Sequence, residues 1–395
     1  MRVLFVTESL SLSQNTGVAA AVVALARTLN QQNINVELAA PTQVNNREET
    51  EAFLDGLVAH LFNQPFALPR TVVPALGWFL SEKLPDFDLI HVHGLWRYPQ
   101  WVATRLAQRL NIPYIVSPHG MCEPFEMARK GWKKKIYFNL VERHTLRGAA
   151  AIHAITNAEK DDCEQLQTCS HIRVIPNGVD IYPPLSNHLM ERYLPHELAL
   201  VPPENPVLLF MGRLHPKKGL DLLIPAFAQV LQRHPQARLV LAGPDPVGYR
   251  ENLIKLAHSF HVQDRVLFPG MVTDLYKRAL LQRADLFALP SYSEGFSVAV
   301  LEALAAVKPV VISQHCYFNE VLSAGCGRVV DNSVSQLAEA LSDLLDLDCP
   351  TRAIVGQRGR ELIEQEYTWP SIGRQMCDLY NSVSKTRLKV SQNVF

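Results

Sequence analysis

Two stretches of this chain place charged side chains where an anion could sit. The first is Met211-Gly212-Arg213-Leu214-His215-Pro216-Lys217-Lys218-Gly219, between a short apolar run and a helical pattern. Gly212 allows close backbone approach, Arg213 supplies a planar fork of donors and Lys218 a mobile point charge. Two cations beside a helix N-terminus suit a diphosphate, which gains charge as it departs; each charge-assisted hydrogen bond is worth ~1.5–3 kcal/mol. The second runs from Pro290 to Pro309, PSYSEGFSVAVLEALAAVKP. There the apolar run Asp285–Leu289 breaks into a Ser/Tyr/Gly loop, and a helix resumes near Ser297. First-turn N–H groups have no internal partner, so such a loop also holds anions. A solvated turn is the bland alternative for the first stretch and an ordinary βα turn for the second. Together they favour a site.

Glu294 and Glu302 invite comparison with the acid and base of a glycosidase. Eight helical residues span ~12 Å, whereas such carboxylates sit ~5–9.5 Å apart. The division that fits better gives Glu302 the hydroxyls of a ribose and Glu294 the transferred sugar, with the Gly295, Phe296 and Ser297 amides on sugar hydroxyls and a β-phosphate. Gly17, with Glu37 twenty residues on, suggests a nicotinamide site, but SQNTGVAAA lacks the GxGxxG spacing. His119 closes an apolar run at Ser117-Pro118-His119-Gly120, either as a structural histidine or as a site residue. His91 and His93 alternate along their strand without partners for a metal and read as structural or cleft-lining.

From Met127 to Arg147 seven Lys/Arg stand against one acid, Glu142. With Trp132, Ile136, Tyr137 and Phe138 interleaved, the basic helix 129–147 is read as a peripheral contact with an anionic membrane or lipid diphosphate, or as a solvated helix face. Elsewhere the composition is ordinary: 48% apolar, 19% charged, net charge zero. No global field recruits nucleic acid. Seven scattered cysteines form no CxxC pair, which argues against a disulfide framework or zinc site and for a reducing compartment. No run reaches the ~18 apolar residues that span a bilayer. The expected location is cytoplasmic, or the cytoplasmic face of the inner membrane.

A chain of 395 residues suits two domains of about 200 residues each. Short apolar runs alternate with helical patterns: Arg2–Thr7, Ile34–Ala39, Asp88–His93, Pro113–Ser117, Ala150–Ile155 and Ile172–Ile175 read as strands. Seven prolines between Pro176 and Pro206 read as a linker. Alternation then resumes from Val207–Met211 to a last helix beginning at Ser371. The reading is α/β, two doubly wound parallel sheets facing across a cleft: an N-terminal domain at 1–200, a nucleotide-sugar domain at 201–370, and a terminal helix near 371–386. Ligands bind outside the carboxyl ends of such strands, where the motifs fall.

In order and spacing, these motifs resemble the retaining glycosyltransferases of family 4, of the two-domain GT-B fold with Rossmann-like halves. G-R-L-x-P-K-K-G at Gly212–Gly219 and E-x7-E at Glu294 and Glu302 carry the resemblance, with N-G-V-D at Asn177–Asp180 and S-P-H-G-M at Ser117–Met121. The last, with Trp132–Lys134, resembles the subgroup that builds bacterial exopolysaccharides. The resemblance implies Arg213 and Lys218 on the donor diphosphate, Glu302 on the ribose, Glu294, Gly295 and Phe296 on the sugar, and His119 near the reaction centre. It also implies backbone contacts to the base around Gly270, Met271 and Val272, and a last helix crossing back onto the N-terminal domain. Two departures stand out: Thr16-Gly17 replaces a common glycine pair, and Ser297 replaces a common glycine. The implied reaction moves a hexose, best read as glucose from UDP-glucose, to a saccharide or polyprenol-diphosphate-linked acceptor in polysaccharide biosynthesis. It proceeds with retention by front-face displacement, without metal or cofactor. A sugar-nucleotide epimerase and a non-catalytic nucleotide-sugar-binding subunit are the alternatives.

Overall fold

The computed structural model describes residues 1–11, 16–43, 47–64, 72–123, 131–169 and 171–392. The chain forms two compact units. Unit 1 holds Met1–Gly178 and Trp369–Phe395; unit 2 holds Val179–Thr368. The expected junction near residue 200 therefore moves to Gly178. The proline-rich stretch after it is no free linker: it forms the helices Asn187–Tyr193 and His196–Ala199, and Leu198 is buried in the unit 2 core.

Unit 1 is built on seven parallel strands: β1 (Arg2–Val6), β2 (Asn35–Thr42), β3 (Val58–Asn63), β4 (Leu89–His93), β5 (Tyr114–Ser117), β6 (Ala151–Ala154) and β7 (Ile172–Val174). Their order is β3-β2-β1-β4-β5-β6-β7. In β1, β4, β5 and β6 every central residue is buried, which is why those runs read as apolar without alternation. β3 and the helix Arg47–Phe53 lie in a stretch that carried no usable sequence pattern. β3 is a half-exposed edge strand, so neither helical nor continuous apolar spacing marks it.

Unit 2 has six parallel strands: β8 (Val207–Met211), β9 (Arg238–Ala242), β10 (Val266–Gly270), β11 (Leu286–Leu289), β12 (Val310–Ser313) and β13 (Gly327–Val330). Their order, β10-β9-β8-β11-β12-β13, repeats the unit 1 pattern. Both sheets are doubly wound. Strand order reverses between β1 and β4 in unit 1 and between β8 and β11 in unit 2, and such switch points are where ligands bind.

The last helix, Trp369–Gln392, belongs to unit 1. Trp369, Ile372, Met376, Leu379, Tyr380 and Val383 are buried in the unit 1 core. Its fastening is polar as well as apolar. The carbonyl of Ile175 can only accept, so His153 Nε2 donates to it at 2.7 Å. His153 Nδ1 must then accept from Ser117 Oγ, also at 2.7 Å. Ser117 in turn accepts from His91 Nε2 at 2.6 Å, leaving His91 Nδ1 to accept from the Tyr380 hydroxyl at 2.7 Å. One carbonyl thus fixes the proton on every member of the chain. Tyr380→Phe removes the outermost donor and strands His91 Nδ1 in the core. The expected loss is about 1–3 kcal/mol, read as a lower denaturant midpoint at unchanged slope.

Candidate functional site

In unit 2 the loop after β8 and the loop after β11 lie side by side, because β8 and β11 pair in register, Leu208 with Leu286 and Leu209 with Phe287. The two motifs are therefore neighbours at the switch point despite their separation in sequence. Gly219 shows how close they come. Its φ is +67°, and a Cβ there would stand 2.0 Å from the Pro290 carbonyl oxygen. The Tyr292 amide donates to Lys217 O at 2.8 Å, stitching the loops together. Lys218 Nζ reaches Glu294 Oε1 at 2.5 Å, and Ser291 Oγ donates to the same oxygen. Asn332 donates to the Pro290 and Ser291 carbonyls, and Ser313 Oγ donates to Ser291 O at 2.6 Å.

Lys218 and Glu294, assigned separately to phosphate and sugar from sequence, are thus one ion pair. Glu294 is 7% exposed, so this pair is largely out of water. Arg213 differs: it is exposed and makes no hydrogen bond or ion pair among the described residues. Its guanidinium is uncommitted. The amides of Gly295, Phe296 and Ser297 also make no hydrogen bond among the described residues. Ser297 caps the helix Val298–Ala305 in extended conformation, and its side chain makes no cap bond.

Glu302, inside that helix, pairs with Lys277 at 2.5 Å. Lys277 lies on the helix Asp274–Arg283, which opens after Gly270-Met271-Val272. This contact brings the residue expected on a ribose beside the loop expected on a base. Sequence reasoning missed Lys277. Its only signal was a cation one helical turn beyond the glycine loop, which is too common to single out. Gly270 has φ +79°, and its carbonyl accepts from the Gly243 amide at 2.7 Å. Gly243 cannot carry a side chain, since a Cβ would lie 1.8 Å from Gly212 O. The Gly212, Gly243 and Gly270 loops therefore form one backbone-linked rim.

The remaining expected residues are in unit 1. Gly17 sits exposed in the first turn of the helix Thr16–Gln31, and a Cβ added there would meet nothing within 4 Å. No packing contact requires glycine there. His119 follows β5 with φ +54°, half-buried, its Nε2 3.1 Å from His93 Nδ1. His91 and His93 are 0% and 1% exposed, and they belong to a group of four histidines with His119 and His153. The described residues hold no group of three or more His, Cys, Asp or Glu arranged for a metal ion.

Two buried carboxylates hold the loops of this edge. Glu142 Oε1 accepts from the Trp96 amide at 2.8 Å. Glu159 accepts from the Gly120 amide at 2.5 Å and the Ile155 amide at 2.7 Å. Trp96 and His119 both take positive φ, so each carboxylate holds a strained turn at a strand's end. The expected basic helix is interrupted at this point. Gly131–Tyr137 passes into a π turn, Phe138–Glu142, before Arg143–Arg147. Glu142 is therefore no surface acid; it is 2% exposed. Arg129 and Lys130 lie outside the described residues.

Burial, the leading cause in each case, shifts both sets of groups. His119 falls to about 3 and His153 to about 4, while His91 and His93 fall well below 6.5. Glu142 and Glu159 rise to about 7. Below about pH 6.5 the unfolded chain gains protons that the folded histidines refuse, so acidification destabilises unit 1. The carboxyls act oppositely, favouring the fold as pH falls from about 7 toward 4.5. Four histidines outweigh two carboxyls. Thermal unfolding is expected at lower temperature near pH 5 than near pH 7; the reverse order would refute this balance.

Comparison with known proteins gives a family match for each half of the chain. The family model described as Glycosyltransferase Family 4 matches residues 15–182, and that described as Glycosyl transferases group 1 matches residues 197–362. D-inositol 3-phosphate glycosyltransferase of Kineococcus radiotolerans is 26% identical, over 93% of this chain and 90% of that protein. GDP-mannose:cellobiosyl-diphosphopolyprenol alpha-mannosyltransferase of Xanthomonas oryzae pv. oryzae is 27% identical, over 76% of this chain and 75% of that protein. Among solved structures, Anabaena HepE in complex with UDP-glucose superposes with a TM-score of 0.77 and 20% identity, covering 97% of this chain and 100% of that one. That likeness establishes the GT-B fold.

Proposed function

The chain belongs to glycosyltransferase family 4, a family of retaining enzymes, and from that premise we propose the donor, the acceptor class and the residues that act. The donor is a nucleoside diphosphate hexose held in unit 2. Its diphosphate lies against Gly212, Arg213, Lys218 and the free amides at Gly295–Ser297. Glu302 takes the ribose hydroxyls, and Gly270–Val272 the base. Glu294 faces the hexose, and His119 of unit 1 serves the same reaction. The observation that carries this reading is the pair of loops joined at the β8–β11 switch point, with an uncommitted guanidinium and three unbonded amides.

Neither glutamate of the second motif stands free as a nucleophile: Glu294 and Glu302 are each paired with a lysine. Front-face displacement fits this arrangement. The bond from the anomeric carbon to the diphosphate oxygen breaks, the acceptor oxygen bonds on the same face, and the departing phosphate takes the acceptor's proton. Catalysis then rests on stabilising the charge that develops on the leaving group. UDP-glucose is the donor we propose, supported by the fold neighbour solved with that compound. The names of two mannosyltransferase relatives favour GDP-mannose as a second reading. The acceptor is a saccharide or a polyprenol-diphosphate-linked saccharide. Arg213→Ala and Lys218→Ala should each lower kcat by about 10²–10³, as removal of a leaving-group or oxyanion donor does. Near-normal turnover in both would sink the proposal.

The helical stretch Gly131–Arg147, interrupted by its π turn, supports a membrane-surface role for unit 1. Trp132, Ile136 and Leu140 recur every fourth residue and are 69%, 51% and 67% exposed. In Gly131–Tyr137 the spacing puts Trp132 and Ile136 on one face, Leu140 follows in the π turn, and exposed Lys135 and Arg147 supply positive charge nearby. Among the described residues no helix is long and apolar enough to cross a membrane. We expect sedimentation with vesicles containing phosphatidylglycerol but not with pure phosphatidylcholine, weakened by Ile136→Ser with Leu140→Ser. Equal behaviour on both vesicles would reduce this helix to a solvated face.

A further inference from the structure

We propose that His93 is a positioning residue that locks His119 as the Nδ1–H tautomer, so that His119 offers a neutral N–H donor and has no free lone pair with which to act as a base. This deepens the role given above to His119, but it stands on the geometry of unit 1 and not on the identity of any substrate.

His93 is 1% exposed, and its Nε2 is buried without a hydrogen-bond partner. Its other nitrogen, Nδ1, lies 3.1 Å from His119 Nε2, so one proton must occupy the line between the rings. If that proton belonged to His119, neutral His93 would carry its own on Nε2, as a buried N–H with nothing to receive it. Orphaned buried N–H donors are rare in folded proteins, and under-satisfied acceptors are less so. The proton therefore belongs to His93 Nδ1, which donates to His119 Nε2. His119 must carry its own proton on Nδ1, and that nitrogen makes no hydrogen bond among the described residues.

The neighbouring imidazoles cannot take over this task. Both nitrogens of His91 and both of His153 are consumed in the chain from Tyr380 to the Ile175 carbonyl. The backbone of His119 is held independently, since the next amide, Gly120, donates to buried Glu159. Ring and backbone are thus fixed by different residues. The same arrangement opposes an imidazolium. A second proton on His119 would have to enter at Nε2, forcing the His93 proton onto its orphaned nitrogen. The titratable groups around it are His91 and His93 on β4, His153 on β6, Glu159 after β6, and Glu123, which acts on Glu159. Burial and then His153 push His119 down to about 3, in the same direction.

Long-range proton–nitrogen correlation spectra of protein with 15N-labelled histidine rings test this directly. The His119 and His93 signals are identified by their loss in His119→Asn and His93→Asn. At neutral pH both rings should show a protonated Nδ1. His119 should keep that form in His93→Asn, whose side-chain amide can stand where Nδ1–H stood. In His93→Leu it should shift to the Nε2–H form that free imidazole prefers. A wild-type His119 protonated at Nε2 overturns the assignment, as does an unchanged His119 tautomer in folded His93→Leu. If His93→Leu fails to fold, the wild-type and His93→Asn spectra decide. Turnover is not the readout, so failure here leaves the proposed reaction to its own test.

Discussion

The parallel pairing of β8 with β11 is the contact on which the rest of unit 2 depends. A sheet that grows in both directions from its first strand must somewhere place two strands side by side whose connections leave in opposite senses. Here that place brings Gly212–Gly219 against Pro290–Glu294. The approach is so close that Gly219 has no room for a β-carbon beside the Pro290 carbonyl. Two helix N-termini, an ion pair and a free guanidinium follow from that one adjacency. The Lys277–Glu302 pair then extends the same edge toward the Gly270 loop.

Unit 1 solves a different problem at its own strand ends. Trp96 and His119 are held in a backbone conformation that costs of order 1–3 kcal/mol each. Buried Glu142 and Glu159 offset this by accepting adjacent amides. Burial leaves the four imidazoles neutral near neutrality and raises the two carboxyls to about 7, where each is half ionised. The hydrogen bonds of this edge run in fixed directions, from Tyr380 on the last helix to the carbonyl of Ile175.

Much of this was legible in the sequence, and the losses have physical causes. Runs such as Val207–Met211 and Arg238–Ala242 were readable to the residue, because a strand buried on both faces needs apolar side chains throughout. β3 was not, because an edge strand half in water carries neither pattern. The two charged motifs were visible because glycine, arginine and lysine between a strand and a helix have few structural uses. Their pairing was not: that Lys218 meets Glu294, and that Glu302 needs Lys277, depends on strand order. Glu142 entered only as the one acid in a basic stretch, and its burial within the π turn Phe138–Glu142 left no mark in the sequence pattern. His93 was read as structural or cleft-lining; its unpartnered Nε2 has no sequence counterpart.

The central claim is that the two loops at the β8–β11 switch point form a site for a nucleoside diphosphate. Titration calorimetry of the wild-type protein with UDP, GDP, uridine and inorganic diphosphate tests it most directly. The account predicts that a nucleoside diphosphate binds at one site per chain, much more tightly than the bare nucleoside, with inorganic diphosphate competing. Equal affinity for uridine and UDP, or no binding of either nucleoside diphosphate, would contradict it.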